Sequence, residues 1–155
     1  MFLFGLDNNH VCGMVLVDYR KAFDMVDHKL LLRKLELYGT VNRELAWCLS
    51  YLSDRKQIVR VNWSESSEAL MLHGVPQGSI LDPLFFILFI NELPLYKSAQ
   101  LDLYADDMAV NAFADVKNLT NLSSSLNKSV SEIQLWASAN MLPLNEVSGS
   151  SPVQA

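Results

Sequence analysis

The chain has 155 residues, of which 50% are hydrophobic, and a formal net charge of −5. This length predicts a single domain over residues 1–146, followed by a disordered tail at 147–155. No segment of the sequence is apolar over enough residues to cross a membrane, and Cys12 and Cys48 form no disulfide framework. We therefore expect an intracellular protein of the nucleus or cytoplasm, neither secreted nor membrane-bound.

The charge is unevenly distributed along the chain. Residues 1–60 contain nine Lys or Arg and seven acidic residues, whereas residues 61–155 contain three Lys or Arg and ten acidic residues. Nucleic-acid binding relies on cations that displace counterions from phosphates, so a chain with an acidic second half is expected to bind nucleic acid weakly by itself.

A strand and two helices are predicted in the first third of the chain. The apolar run at 13–17 predicts a buried strand, and Asp18 follows its carboxyl end. Asp27 is a suitable N-cap for a helix that Gly39 would end, and Asn42 opens a second helix. The side chains expected to face inward from this second helix are Leu45, Leu49 and Leu52.

The middle of the chain combines strands, a glycine-rich turn and an apolar helix. Residues 57–61 and 69–72 are predicted to pair as strands through a polar loop. After the turn at 74–79, Asp82 is predicted to cap a helix that contains residues 84–90. Because this helix is apolar all round, we expect most of its surface to be buried.

Two adjacent acidic residues, Asp106 and Asp107, are predicted at the turn of a hairpin between strands at 101–104 and 108–113. Hard divalent cations prefer carboxylate oxygens, and a two-metal site needs acids from separate segments. Asp18 is the candidate third ligand. The alternative is that the two acids only stabilise the turn, where aspartate bonds to nearby backbone.

The remaining sequence predicts one long amphipathic helix and a short strand. Asp115 is the expected cap of the helix, and residues 142–145 are the expected strand. The apolar positions of the helix recur at steps of three and four residues and are Leu119, Leu122, Leu126, Val130, Ile133 and Ala137.

Three segments resemble motifs of the reverse transcriptase of non-LTR retrotransposons, the LINE type. Residues 17–28 are similar to motif A, residues 74–81 to motif B and residues 104–107 to motif C, and the resemblance extends over residues 7–145. It implies a right-hand polymerase palm with part of the fingers. This is an α/β (α+β) fold in which helices pack on one face of an antiparallel sheet, with the thumb absent.

The resemblance also implies a two-metal nucleotidyl-transfer site. The residues that would be catalytic and bind magnesium, or manganese as the alternative ion, are Asp18, Asp106 and Asp107. The residues that would contact the nucleotide are Tyr19, Phe23, Gln77 and Gly78. Phe23 corresponds to the family's steric gate against ribonucleotides, and Tyr104 would contact the primer end. The implied partners are an RNA template, a DNA primer and deoxynucleoside triphosphates, with no membrane.

The sequence departs from the family pattern at two positions. Asp82 replaces a glycine of motif B, and we expect its carboxylate to repel phosphate. Ser148 stands where motif D has a lysine that would protonate pyrophosphate. The leading hypothesis is therefore an RNA-directed DNA polymerase fragment that is incomplete or weakly active. The alternative is a catalytically dead relict or repurposed palm domain that binds nucleic acid or protein, and an incomplete gene model is a third interpretation.

Overall fold

The computed structural model describes residues 10–96 and 100–145. Its contacts divide the chain into two compact units. The first, here called the sheet unit, combines the described parts of residues 1–20 and 92–155, and the second, here called the helical unit, contains residues 21–91.

Four α-helices and seven strands are found in the described residues. The helices are α1 (His28–Leu37), α2 (Asn42–Leu52), α3 (Leu81–Ile90) and α4 (Leu119–Ala139). The strands are β1 (His10–Val17), β2 (Lys56–Gln57), β3 (Arg60–Val61), β4 (Ser64–Glu65), β5 (Ala69–Leu70), β6 (Gln100–Tyr104) and β7 (Asp107–Asp115). Short 3₁₀ turns lie at Ala22–Asp24, Leu93–Tyr96 and Val116–Asn118.

The sheet unit is built on a three-stranded antiparallel sheet in the order β1-β7-β6. The pairing of β1 with β7 runs without interruption from His10 opposite Asp115 to Val17 opposite Met108. A continuous ladder of this length specifies the register firmly, because a slip of one residue would move every side chain to the other face.

Helix α4 covers one face of this sheet. A β-carbon added to Gly13 would lie 2.6 Å from Cδ1 of Leu126, so the helix approaches β1 closely there. On the other face Leu16 is 69% exposed. The predicted buried strand is thus wrong for half of its side chains, because successive residues of a strand point to opposite faces and the helix covers one of them. The mixed fold with antiparallel sheets is confirmed.

Helices α1 and α3 pack against each other in the helical unit. The predicted cap of α1 is confirmed, since the Leu30 N–H donates to Oδ1 of Asp27 over 2.8 Å. Lys34 is buried, and its Nζ donates to the Phe89 carbonyl over 2.7 Å. This carbonyl belongs to the last turn of α3, so a buried cation satisfies an acceptor that the helix itself leaves open.

The burial expectations for two helices hold only in part. In α2 Leu52 is buried as predicted, but Leu49 is 50% exposed and Cys48, one turn before Leu52, is the buried residue in its place. In α3 most of the apolar side chains are buried as predicted, whereas Leu84 and Ile87 are about half exposed. They share one side of the helix, so an apolar sequence all round did not ensure burial all round.

The segment after α2 forms two small hairpins. Strand β2 pairs with β5, which confirms part of the predicted pairing, but β3 pairs with β4 inside the predicted loop. Asn62 makes this second turn possible by adopting a positive φ of 53°.

Two predicted element ends also differ from the structure. Asp115 is the last residue of β7 and not the cap of α4, because a 3₁₀ turn separates the strand from the helix. The predicted strand at 142–145 is a single bridge between Tyr19 and Leu144. The predicted tail at 147–155 lies outside the described residues, and the single-domain boundaries stay a prediction.

Candidate active site

The β6–β7 hairpin carries the adjacent acids. Tyr104 pairs with Asp107, so the turn consists of Ala105 and Asp106. Asp107 is therefore the first residue of β7, which corrects the prediction that both acids lie in the turn. Ala105 adopts a φ of +53°, in the left-handed region that alanine rarely occupies, and Tyr104 beside it is 83% exposed.

The sheet register brings Asp18 to the same end as these acids. Val17 pairs with Met108 in the last residue pair of this ladder, so Asp18, which follows β1, and Asp107, which begins β7, both lie next to that pair. Both carboxylates are exposed, whereas Val17 and Tyr19 are buried, as expected for side chains that alternate between two faces.

The backbone of residues 143–145 pairs with the chain that follows β1. The Arg20 N–H donates to the Pro143 carbonyl over 2.8 Å, and the Asn145 N–H donates to the Asp18 carbonyl over 2.9 Å. Nδ2 of Asn145 also donates to Oδ2 of Asp18 over 2.7 Å. The Asp18 carboxylate is therefore oriented by a residue that is distant in sequence.

The three predicted ligands are not gathered into a cluster. No group of three or more His, Cys, Asp or Glu side chains in the described part of the chain could hold a metal ion as they stand. The structure thus brings Asp18 and Asp107 to neighbouring positions and leaves Asp106 in the adjoining turn. The donor chemistry of these carboxylates, two of them exposed and that of Asp106 half-buried, suits a hard cation such as Mg²⁺.

The side chain of Tyr19 is buried, with 2% of its surface exposed. Burial raises the pKa of its phenol. The predicted role in nucleotide binding therefore cannot involve this side chain as it is placed here, and only the backbone of Tyr19 is left for such a contact.

The predicted nucleotide-contacting residues Phe23, Gln77 and Gly78 lie in the helical unit. The ring of Phe23 packs against that of Phe86, with ring centres 4.6 Å apart. Gln77 is exposed, and its Nε2 donates to Oδ1 of Asp24 over 2.7 Å. A Cβ at Gly78 would meet nothing within 4 Å, so its positive φ of 86° and not a close approach explains the glycine.

Two segments of the helical unit are joined by backbone hydrogen bonds. The Val75 N–H donates to the Phe23 carbonyl, and the Gly74 N–H donates to the Val26 carbonyl, both over 2.8 Å. Gly74 has a φ of +85°, and a Cβ there would lie 2.8 Å from the carbonyl oxygen of Asp24. Sequence reasoning missed Asp24 and Gly74, because neither position shows which distant backbone it meets.

Asp82 has a different role from the predicted one. It is 4% exposed, and its two carboxylate oxygens accept hydrogen bonds from the Ser79 hydroxyl over 2.7 Å and the Ser79 N–H over 3.1 Å. The Ser79 hydroxyl in turn lies 3.2 Å from the Asp82 N–H. This reciprocal pair is a capping box at the start of α3, in which Ser79 is the cap. The buried, bonded carboxylate does not support the expected repulsion of phosphate.

A shallow cavity of about 410 Å³ lies at the carboxyl end of α4. Its lining residues are Gln134, Ala137, Ser138, Met141, Leu142, Pro143 and Leu144. None of the predicted catalytic or nucleotide-contacting residues is among them, although Leu144 pairs with Tyr19, next to Asp18.

Sequence comparison agrees with this acid-bearing antiparallel hairpin, which is expected in a palm-type polymerase fold. The chain matches the reverse transcriptase (RNA-dependent DNA polymerase) family over residues 5–146. It therefore belongs to the reverse transcriptase family, whose members generally depend on divalent metal ions. No helix among the described residues is long and apolar enough to cross a membrane.

The relatives include polymerases of mobile elements from Drosophila melanogaster. The chain is 31% identical over 153 residues to the probable RNA-directed DNA polymerase from transposon BS. This match covers 90% of the chain and 16% of the relative. It is 36% identical over 110 residues to the corresponding protein of transposon X-element, covering 67% of the chain and 12% of the relative. It is 29% identical over 146 residues to the RNA-directed DNA polymerase from mobile element jockey. This match covers 85% of the chain and 15% of the relative.

The predicted resemblance to non-LTR retrotransposon reverse transcriptases is confirmed by these relatives. The chain spans only 12–16% of the length of these three relatives.

Proposed function

We propose that this chain contributes the nucleotidyl-transfer residues of an RNA-directed DNA polymerase of the LINE type. The observation that supports the proposal is the register of the sheet unit, in which Val17 pairs with Met108 and Tyr104 pairs with Asp107, so that Asp18 follows the strand next to the one that Asp107 begins. An RNA template, a DNA primer and deoxynucleoside triphosphates would be its partners.

In this proposal Asp18, Asp106 and Asp107 hold Mg²⁺, or Mn²⁺ as the alternative. A bound divalent ion would activate the primer hydroxyl and neutralise charge on the triphosphate. The three carboxylates supply the oxygen donors, and Asn145 restricts the direction of the Asp18 carboxylate. The exposed ring of Tyr104 is available to contact the primer end.

For the helical unit we propose that Phe23, Gln77 and Gly78 contact the incoming deoxynucleotide. The ring of Phe23 would collide with a ribonucleotide and so exclude it. Packing against Phe86 holds this ring in one orientation. The open space beside Gly78 leaves room for a ligand against the backbone. The intracellular location stays a prediction, supported by the free cysteines Cys12 and Cys48.

The central test is nucleotide incorporation on a primed RNA template with Mg²⁺ and deoxynucleotides. Wild type should extend the primer, and Asp106→Asn should lower the rate by at least about 10²-fold, because a charged ligand becomes neutral. Asp115→Asn, at the end of β7 away from the hairpin turn, removes one charge far from the proposed site and should retain activity. Equal incorporation by wild type and Asp106→Asn would refute the catalytic role.

Calorimetric titration with Mg²⁺ separates this function from the relict interpretation. A site built on these carboxylates should bind the ion in wild type and lose binding in Asp18→Asn. Heat in neither protein would favour a relict palm domain that binds nucleic acid or protein. The relatives favour the polymerase, since the three described above are named RNA-directed DNA polymerases.

A further inference from the structure

The side-chain amide of Gln77 has a defined orientation in the helical unit. Its Nε2 donates to Oδ1 of Asp24 over 2.7 Å. A carboxylate can only accept hydrogen bonds, whereas an amide offers a donor on one side and an acceptor on the other. The contact with Asp24 therefore turns the NH₂ group of Gln77 toward Asp24 and leaves Oε1 as the acceptor that faces away from Asp24.

The backbone on both sides of this contact is held in place. The Val75 N–H bonds to the Phe23 carbonyl, next to Asp24 in sequence. At Gly74 the chain passes so close to Asp24 that a Cβ would lie 2.9 Å from the Asp24 Cα. Since neither backbone segment can shift without breaking these contacts, Asp24 and Gln77 are carried by two segments that are held next to each other.

We infer that Asp24 is a positioning residue that sets which face of the Gln77 amide meets the incoming deoxynucleoside triphosphate. The inference rests on the proposed function for the role of Gln77. Asp24 itself need not touch the nucleotide. Its carboxylate keeps Oε1 outward, and without it the amide can rotate and present NH₂ instead. The nucleotide site would then bind its substrate less tightly, while the chemical step is unaffected.

The orientation can be measured without activity, from the side-chain amide signals of Gln77 in ¹⁵N-labelled protein, assigned with Gln77→Ala. One amide proton should be shifted by the bond to the carboxylate in wild type. The shift should be lost in Asp24→Ala and largely retained in Asp24→Asn, whose oxygen can still accept. Unchanged Gln77 signals in Asp24→Ala would overturn the inference.

The consequence for the site is measured by incorporation kinetics. Asp24→Ala should raise the KM for deoxynucleotide about tenfold, as expected for one lost hydrogen bond to a charged group, with kcat within about twofold. Asp24→Asn should recover most of the affinity. Glu36→Ala removes an exposed acid of the same unit and serves as the charge control, with an unchanged KM expected.

A double variant separates orientation from simple structural support. In Asp24→Asn with Gln77→Glu the hydrogen bond can form with reversed polarity, so the melting temperature should match wild type. The group that faces the nucleotide is then a charged carboxylate, which repels the triphosphate. The KM for deoxynucleotide should therefore rise more than in Asp24→Ala. A normal KM in this double variant, or a fall in kcat parallel to a loss of stability in Asp24→Ala, would contradict the inference. An inactive wild type would instead refute the proposed function, while the amide signals still decide the orientation.

Discussion

The two units hold their candidate residues in different ways. In the sheet unit, backbone register determines where Asp18 and Asp107 lie, and α4 meets the sheet through side chains such as Leu126. In the helical unit, the candidate residues sit on loops where one backbone passes directly against another at Gly74. Paired strands tolerate substitutions that only change side chains, whereas the close backbone contact at Gly74 tolerates almost no added side-chain atom.

The largest effect is expected where the two backbones cross. Gly74→Ala should lower the free energy of unfolding by about 3–4 kcal/mol, because it combines a left-handed φ with a clash against the Asp24 backbone. Gly78→Ala is the matched control, with the same sign of φ but open space around it, and should cost about 1–2 kcal/mol. Denaturant unfolding measures both, and equal losses would show that the crossing is not rigid.

The corresponding glycine of the sheet unit should be more tolerant, and its variant sharpens the contrast. A Cβ at Gly13 would meet Cδ1 of Leu126, the end of a flexible side chain. We expect Gly13→Ala to lower the free energy of unfolding by about 1 kcal/mol, since Leu126 can move. A loss as large as that of Gly74→Ala would mean that α4 is packed as rigidly as the loop crossing.

The capping box tests how the glycine-rich turn is anchored to α3. Ser79→Ala should lower the free energy of unfolding by about 1–2 kcal/mol, because Asp82 loses a hydrogen bond in a buried position. Ser79→Thr keeps the hydroxyl and should stay close to wild type. If the alanine variant were as stable as the threonine variant, Asp82 would not depend on this cap.

The smallest effect is expected at the hairpin turn and has the opposite sign. Ala105→Gly should raise the free energy of unfolding by about 0.5–1 kcal/mol, because glycine adopts φ +53° without the strain of a side chain. Ala109→Gly, in the middle of β7, should instead lower it by about 0.5–1 kcal/mol. Destabilisation by both would indicate that Ala105 makes favourable contacts that outweigh its strain.

Local sequence signals predicted many elements and some of their ends. Asp27 and Gly39 marked α1 correctly, because a cap and a terminating glycine act on the nearest few residues. The β6–β7 hairpin was also recognisable from its two apolar runs. Burial was less predictable, as Leu49 and Leu84 show, because exposure depends on which neighbours a helix face receives.

The sequence by itself determined the family, the acidic hairpin and the residue types available for metal and nucleotide binding, since these depend on short motifs. Only the tertiary structure decided that Asn145 orients Asp18, that Asp24 orients Gln77 and that Asp82 belongs to a capping box with a buried carboxylate. The first two of these contacts join residues far apart along the chain. Their partners are selected by strand register and backbone crossings, which no local pattern encodes.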